Sequence, residues 1–77
     1  MTEYPITPEL QEEIDNRMTY HAPTGDQPER YQAIRSGAKE LMELAARLVP
    51  PSPERGEAFK KLEGFCFWAN AGIARRE

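Results

Sequence analysis

Residues 62–76 have the sequence LEGFCFWANAGIARR, which predicts the second half of a long C-terminal helix. Apolar and small residues recur in it at steps of three and four: Leu62, Phe65, Ala69 and Gly72. Two large aromatic side chains lie off this line: Phe67 and Trp68. A helix that is apolar on more than one side must be covered on more than one side. We therefore expect a partner helix from the same chain on one side and other subunits on the rest.

The partner helix lies directly upstream, across a short turn that is rich in proline. Pro50 and Pro51 end a helix, because proline lacks an amide donor and restricts the residue before it. Ser52 followed by Pro53 is typical of the start of the next helix. A connection this short makes the two helices antiparallel. Upstream of the turn, apolar residues form a heptad seam: Tyr31, Ile34, Ala38, Leu41, Ala45 and Leu48.

The first part of the chain predicts a short helix followed by an irregular loop. Thr7 followed by proline and an acidic residue is typical of a helix start. Leu10 and Ile14 make this short helix amphipathic, and because it is too short to be stable alone it needs a surface to lie on. Asp26 and Glu29 have the spacing of a capping box at the start of the first long helix.

These segments predict an all-α fold: a short N-terminal helix followed by a long antiparallel helical hairpin, assembled into a homo-oligomer. The expected division is a tail at 1–6, a short helix at 8–17, a ligand loop at 18–26, and hairpin helices at 27–49 and 53–75. A single domain of 77 residues is small, and chains of that size bury only ~60% of their unfolded surface. Oligomerisation is a common source of the missing stability.

Several classes of function are disfavoured by composition. The net charge of −3 argues against a broad basic face, so no DNA partner is expected. The single cysteine, Cys66, cannot form an intrachain disulfide and is interpreted as a small core residue. The single histidine and the absence of catalytic motifs argue against a metal site, a cofactor and an enzyme. No apolar run of ~18 residues is present, so no membrane partner is expected, and the cytosol is the default compartment.

The remaining polar and aromatic side chains favour a binding function. Tyr20 and His21, in the loop, have flat rings that can stack on a base or a ribose. Several arginines have the forked guanidinium that suits phosphate: Arg17, Arg30, Arg35, Arg75 and Arg76. The alternative is that Tyr20 packs on the hairpin and that the arginines are ordinary surface charges.

Four parts of the sequence resemble the phage anti-CBASS and anti-Thoeris hairpin-domain family. They are NRMTYHAP at 16–23, QPERY with AIR at 27–35, PPS at 50–52, and WANAGIAR at 68–75. The likeness covers roughly residues 16–76. It implies a small protein that sequesters cyclic nucleotide signals of bacterial defence without cleaving them. It also implies a homohexamer that acts in the cytoplasm of the infected host.

The resemblance further implies two kinds of pocket between subunits. Cyclic dinucleotides such as 3',3'-cGAMP would bind between two protomers, with Tyr20 stacked on the base and Arg35 on phosphate. The other residues assigned to this pocket are Arg17, His21, Ser36 and Gly37, of which the last stands where the family has a hydroxyl residue. Cyclic trinucleotides would bind where three protomers meet, on Arg76 with Arg75 beside it.

Three alternative functions remain open from the sequence. The family's other branch binds cyclic ADP-ribose isomers, the signals of Thoeris defence. An adaptor hairpin would bind protein through Phe67 and Trp68 and would not respond to nucleotides. A transcription-type DNA binder is disfavoured by the acidic balance and by the lack of a recognition-helix pattern.

Overall fold

The structure, a computed structural model, describes all residues 1–77 and contains three helices and no strand. These are α1 (Pro8–Met18), α2 (Gln27–Leu48) and α3 (Pro53–Arg76). The two long helices pack against each other as a hairpin across the short turn at 49–52. The all-α class and the hairpin predicted from the sequence are confirmed. Met18, which was expected in the loop, is the last residue of α1.

Side-chain caps start α1 and α3 but not α2. Thr7 Oγ1 accepts from the Leu10 amide at 3.1 Å, and Ser52 Oγ accepts from the Arg55 amide at 3.1 Å. The capping box predicted at Asp26 is wrong, because its side chain makes no cap hydrogen bond. Its backbone (φ −88°, ψ 6°) lies outside the extended region that turns a cap side chain back over the helix. The Asp26 carboxylate instead lies 3.3 Å from Arg30 Nε.

The turn between the long helices is closed by Arg55. Its Nη1 lies 3.3 Å from both the Ala46 and the Val49 carbonyl oxygens, and so satisfies acceptors that the end of α2 leaves free. The same guanidinium lies over the Phe59 ring, 5.8 Å from its centroid. One side chain of α3 therefore fastens the end of α2, which holds the hairpin closed at the turn.

The line of contact between α2 and α3 is narrow. Ala38 is the only buried apolar residue, and Ile34 and Ala45 lie half-buried on the same line of α2. The predicted heptad seam is wrong at Leu41 and Leu48, which are 52% and 74% exposed. At 100° per residue, Leu41 and Leu48 lie roughly 40° and 60° away from the mean direction of Ile34, Ala38 and Ala45. Small residues on the contact line let the helices approach but bury little apolar area.

The molecule is a plate about one helix thick. Its principal extents are 49 × 41 × 13 Å, and an α-helix with side chains is ~10–12 Å across. The radius of gyration is 17.3 Å, whereas a compact domain of this length has ~11.5 Å. The accessible surface is 6362 Å², against ~4,800 Å² for a globular monomer of this mass.

One side of the plate carries exposed leucines and aromatics, which we call the apolar face. Its members are Leu41, Leu44, Leu48, Phe65, Trp68 and Gly72. On each helix these residues lie roughly 40° to 140° from the contact line, in the same rotational sense. Because the helices are antiparallel, rotations in the same sense bring both sets to one side of the plate. Trp68 is 71% exposed there and Phe65 53%.

Candidate functional site

The loop between α1 and α2 starts beside the end of α3. Asn16 Nδ2 donates to the Arg75 carbonyl at 3.2 Å, and Arg75 Nη2 donates to the Arg17 carbonyl at 3.5 Å. His21 Nε2 lies 2.7 Å from the Asn16 carbonyl. A carbonyl only accepts, so this ring nitrogen carries the hydrogen. These contacts place the first loop residues over the C-terminal turns of α3.

The loop, α2 and α3 together line a recess of about 450 Å³ that is open to solvent. Five of the residues singled out from the sequence line it: Arg17, Tyr20, His21, Arg35 and Arg75. The rest of the lining is mostly aromatic or small: Thr19, Tyr31, Cys66, Phe67, Asn70, Ala71 and Ala74. A volume of this size lies within the ~300–1,000 Å³ typical of small-molecule sites.

The recess combines free aromatic faces with unpaired guanidinium groups. Tyr20 is 83% exposed, so its ring does not pack down on the hairpin. Arg35 and Arg75 take part in no ion pair. Tyr31 lies one turn before Arg35 on α2 and lines the same recess. An aromatic face beside a free guanidinium is the combination that binds a base and its phosphate.

A second cluster of arginines lies at the same end of the hairpin. Arg17, Arg75 and Arg76 border a smaller recess of about 290 Å³, whose other walls are Trp68, Ala71 and Gly72. Glu13 reaches this cluster from α1. Its carboxylate accepts from Arg76 at 2.6 and 3.2 Å and from Arg17 Nε at 2.9 Å.

The two arginines strongly perturb the titration of Glu13. Hydrogen bonds from Arg76, and then from Arg17, lower the pKa of Glu13 from 4.5 to about 2. The same pairing raises the pKa of Arg76 above its ordinary value. Glu13 is therefore the counter-anion of the arginine cluster and also the main ionic link between α1 and the end of α3.

Comparison with protein families gave one match. The family described as Acb2/Tad1, hairpin domain, matches residues 10–74, which include α2, the loop and most of α1 and α3. This chain belongs to the Acb2/Tad1 hairpin-domain family. The resemblance identified from the sequence motifs is therefore confirmed. Comparisons with curated proteins and with solved structures gave no match.

The other predicted site residues of this Acb2/Tad1 hairpin domain lie outside the larger recess. Ser36 accepts a hydrogen bond from Gln32 Nε2 at 3.3 Å and borders a neighbouring groove of about 420 Å³. Gly37 borders neither, and a methyl group added to it would meet nothing within 4 Å. Arg76 lies in the arginine cluster and contacts Glu13. The single chain thus brings the loop residues and Arg35 together, but not Gly37.

Sequence reasoning missed three residues around these recesses. Tyr31 and Lys39 lie four residues before and after the predicted Arg35 on α2, and that spacing was visible in the sequence. Asn70 was not recognisable in this way. Its Oδ1 is shielded from solvent and has no hydrogen-bond partner, and its Nδ2 meets only the Cys66 sulfur at 3.8 Å. Such an amide in the lining of a recess can exchange its weak contact for one to a ligand.

None of the three helices of this Acb2/Tad1 hairpin domain combines the length and apolar character that crossing a membrane requires. No three side chains of the His, Cys, Asp and Glu types come close enough together to hold a metal ion.

Proposed function

We propose that this chain sequesters cyclic oligonucleotide immune signals without cleaving them. Its first ligand class is cyclic dinucleotides such as 3',3'-cGAMP, and cyclic trinucleotides are the second. Removing these signals blocks CBASS-type anti-phage defence in the cytoplasm of the infected bacterium. The Acb2/Tad1 family is associated with sequestration of CBASS and Thoeris signals. The observation that carries the proposal is that Tyr20 and the unpaired Arg35 border one recess.

Each half of a cyclic dinucleotide matches one copy of this recess. The ligand has two bases and two phosphates related by near two-fold symmetry. Two protomers around a two-fold axis present Tyr20 and Arg35 twice, once to each half. Tyr20 stacks on a base, worth ~1–3 kcal/mol per base in comparable sites. Arg35 holds the adjacent phosphate, and Arg17 and His21 border the ring from the loop.

The protein acts as a homo-oligomer, which we propose to be a hexamer. The support is the apolar face, where Trp68 is 71% exposed and Leu48 74%. The single chain exposes ~1,600 Å² more than a globular monomer of its mass. A standard interface buries ~800 Å² on each partner, so the excess corresponds to about two such interfaces per chain. A second copy provides the matching apolar surface.

Cyclic trinucleotides bind at the arginine cluster, where several protomers meet. Arg76 and Arg75 supply guanidinium groups and Trp68 supplies an aromatic face. In the single chain the Arg76 guanidinium is already paired with the Glu13 carboxylate, so a phosphate that binds at this site competes with that carboxylate. We therefore assign the trinucleotide a separate site with its own affinity.

A ligand panel tests the proposal directly. Cyclic dinucleotides should raise the melting temperature, because a ligand that binds only the folded state stabilises it. Ligand recovered after heat denaturation should be chemically intact. A shift with cyclic ADP-ribose isomers alone would assign the chain to Thoeris signals instead. No shift with any member of the panel would leave the adaptor function, for which the exposed Phe67 and Trp68 are suited.

Point variants test the assigned residues by isothermal titration with the ligand that gives the largest shift. Tyr20→Ala and Arg35→Glu should each weaken cyclic dinucleotide binding by at least tenfold while leaving the oligomer intact. Matched controls are Tyr4→Ala in the exposed tail and Arg47→Glu near the far end of α2. Equal affinity for Tyr20→Ala and Tyr4→Ala would refute the assigned role of Tyr20.

A further inference from the structure

Gln27, the first residue of α2, is the only buried polar residue in the chain, with 7% of its surface exposed. Its Oε1 accepts from the Thr24 amide at 3.0 Å, and its Nε2 donates to Glu77 Oε1 at 3.2 Å. The side-chain amide thus lies between a backbone donor of the loop and a carboxylate at the end of α3. Because one neighbour only donates and the other only accepts, the orientation of this amide is fixed.

Glu77 is held in turn by Arg30. Arg30 Nη1 donates to Glu77 Oε2 at 2.7 Å, and Nη2 donates to Glu77 Oε1. A two-point contact of this kind fixes the plane of the carboxylate as well as its position. Hydrogen bonds from Arg30 and then Gln27 lower the pKa of Glu77, so the carboxylate is charged at neutral pH.

The last residues of the chain therefore hold both ends of the loop 19–26. The start of the loop is fixed by the Asn16 contact to the Arg75 carbonyl. The end is fixed through Thr24, just before Gly25 turns the chain with a left-handed φ of 55°. The exposed Tyr20 lies between these two attachments.

We propose that Glu77 is a positioning residue for the ligand loop. Through Gln27 it holds Thr24, and thereby fixes the loop that carries Tyr20 and His21 over the recess. A loop ordered before binding lowers the ordering cost that the ligand must overcome. The effect on ligand rests on the proposed function, whereas the effect on loop order does not. Glu77 lies outside the residues 10–74 matched to the family, so the match does not cover this contact.

Chymotrypsin cleavage after Tyr20, followed by mass spectrometry, measures loop order without any ligand. Glu77→Leu removes the acceptor of Gln27, and Gln27→Glu places a second carboxylate against Glu77. Each should speed cleavage roughly two- to fivefold, the range expected for partly exposed contacts. The control is Glu57→Leu, which breaks the exposed Glu57–Lys60 pair (3.4 Å) remote from the loop. Cleavage at the wild-type rate in both test variants would overturn the proposal.

Two more variants separate the Gln27 contact from the ion pair. Glu77→Gln keeps an oxygen that accepts from Gln27, so its loop should stay close to the wild type. The double variant Arg30→Glu with Glu77→Arg restores opposite charges but leaves Gln27 Nε2 without an acceptor. Its loop should therefore remain easily cleaved. Slow cleavage in this double variant would show that the ion pair alone orders the loop, which contradicts a role through Gln27.

The rate of ligand release tests whether the order of the loop affects binding. In Glu77→Leu, the dissociation rate of a bound cyclic dinucleotide should rise in step with the cleavage rate. Faster cleavage with unchanged dissociation would overturn the link between loop order and binding. If the wild type binds no cyclic nucleotide, the proposed function fails, while the cleavage experiment still decides whether Glu77 orders the loop.

Discussion

Glu13 is the side chain whose charge matters most for the placement of α1. Its partners Arg76 and Arg17 lower its pKa to about 2. A carboxyl group with a lowered pKa adds stability above its unfolded pKa, here 4.5, and loses that contribution as the pH falls toward 2. The contact between α1 and α3 is therefore constant from neutral pH down to about pH 4.5 and weakens only below it.

An NMR titration of the Glu13 carboxyl carbon should give a midpoint near 2. Arg76→Gln removes the largest cause of the shift, so the midpoint in that variant should move up toward 4.5. The protection factors of the α1 amides, which correct for the intrinsic pH dependence of exchange, should fall only when Glu13 takes up its proton. A wild-type midpoint near 4.5 would mean that the ion pair with Arg76 does not form in solution.

Glu13→Gln should strengthen binding of cyclic trinucleotides. The substitution removes the carboxylate that occupies Arg76 and Arg17, so a phosphate no longer competes with it. Dinucleotide binding, which depends mainly on Tyr20 and Arg35, should change less, and Glu12→Gln on the same helix is the matched control. Affinity is measured by isothermal titration, and weaker trinucleotide binding in Glu13→Gln would contradict the competition.

Individual contacts were predictable only where they are local. Thr7 and Ser52 were identified as caps because the partner amide lies three residues away. Glu77 was not connected with Gln27, because the two lie 50 residues apart and nothing in either neighbourhood marks the other. Asn70 belonged to a recognisable family motif, but its unsatisfied oxygen depends on how α3 packs.

Among the helices, α3 depends most clearly on its cap. Ser52→Ala should lower stability by about 1 kcal/mol, because it leaves the Arg55 amide without an acceptor. Thermal unfolding at a fixed protein concentration measures the loss. Ser36→Ala, the same substitution inside α2, should have a smaller effect, since alanine is the better helix former there. An equal loss in both variants would contradict a capping role for Ser52.

The starts of α2 and α3 show why two similar capping patterns in the sequence have different structures. Asp26 and Ser52 both precede a glutamine or proline that opens a helix, yet only Ser52 has the extended backbone that a cap needs. At Asp26 the turn through Gly25 fixes the backbone instead. The heptad spacing on α2 placed Ala38, Leu41 and Ala45 in the contact line, but only the two small residues lie there, and Leu41 is exposed.

For the assembled molecule, the apolar face should decide the number of subunits. Trp68→Glu introduces a charge into that face and should shift the protein from an oligomer toward the 8.8 kDa chain. Light scattering after gel filtration measures the mass. Lys60→Glu, an exposed position away from the apolar face, is the control and should leave the mass of the assembly unchanged. A wild-type mass of one chain would contradict the proposed oligomer.

The overall form was only partly predictable. Apolar residues on several sides of α3 predicted exposed aromatic surface, and Phe67 and Trp68 are indeed exposed in the single chain. The sequence also indicated that α1 needs a surface to lie on. Leu10 and Ile14 remain 46% and 37% exposed, because the contacts of α1 with α3 are made by Glu13, Asn16 and Arg17. The angle at which α1 leaves the hairpin depends on contacts between residues about 60 positions apart.

The thinness of the plate has a consequence for how the chain folds. A layer 13 Å deep, with one buried apolar side chain, has almost no interior of its own. In the proposed oligomer, the native state draws most of its free energy from contacts with neighbouring copies, so folding and association become a single equilibrium. Mass action makes the unfolding midpoint climb as the protein is concentrated. On dilution the proposed oligomer should therefore unfold as it dissociates, without a populated folded monomer.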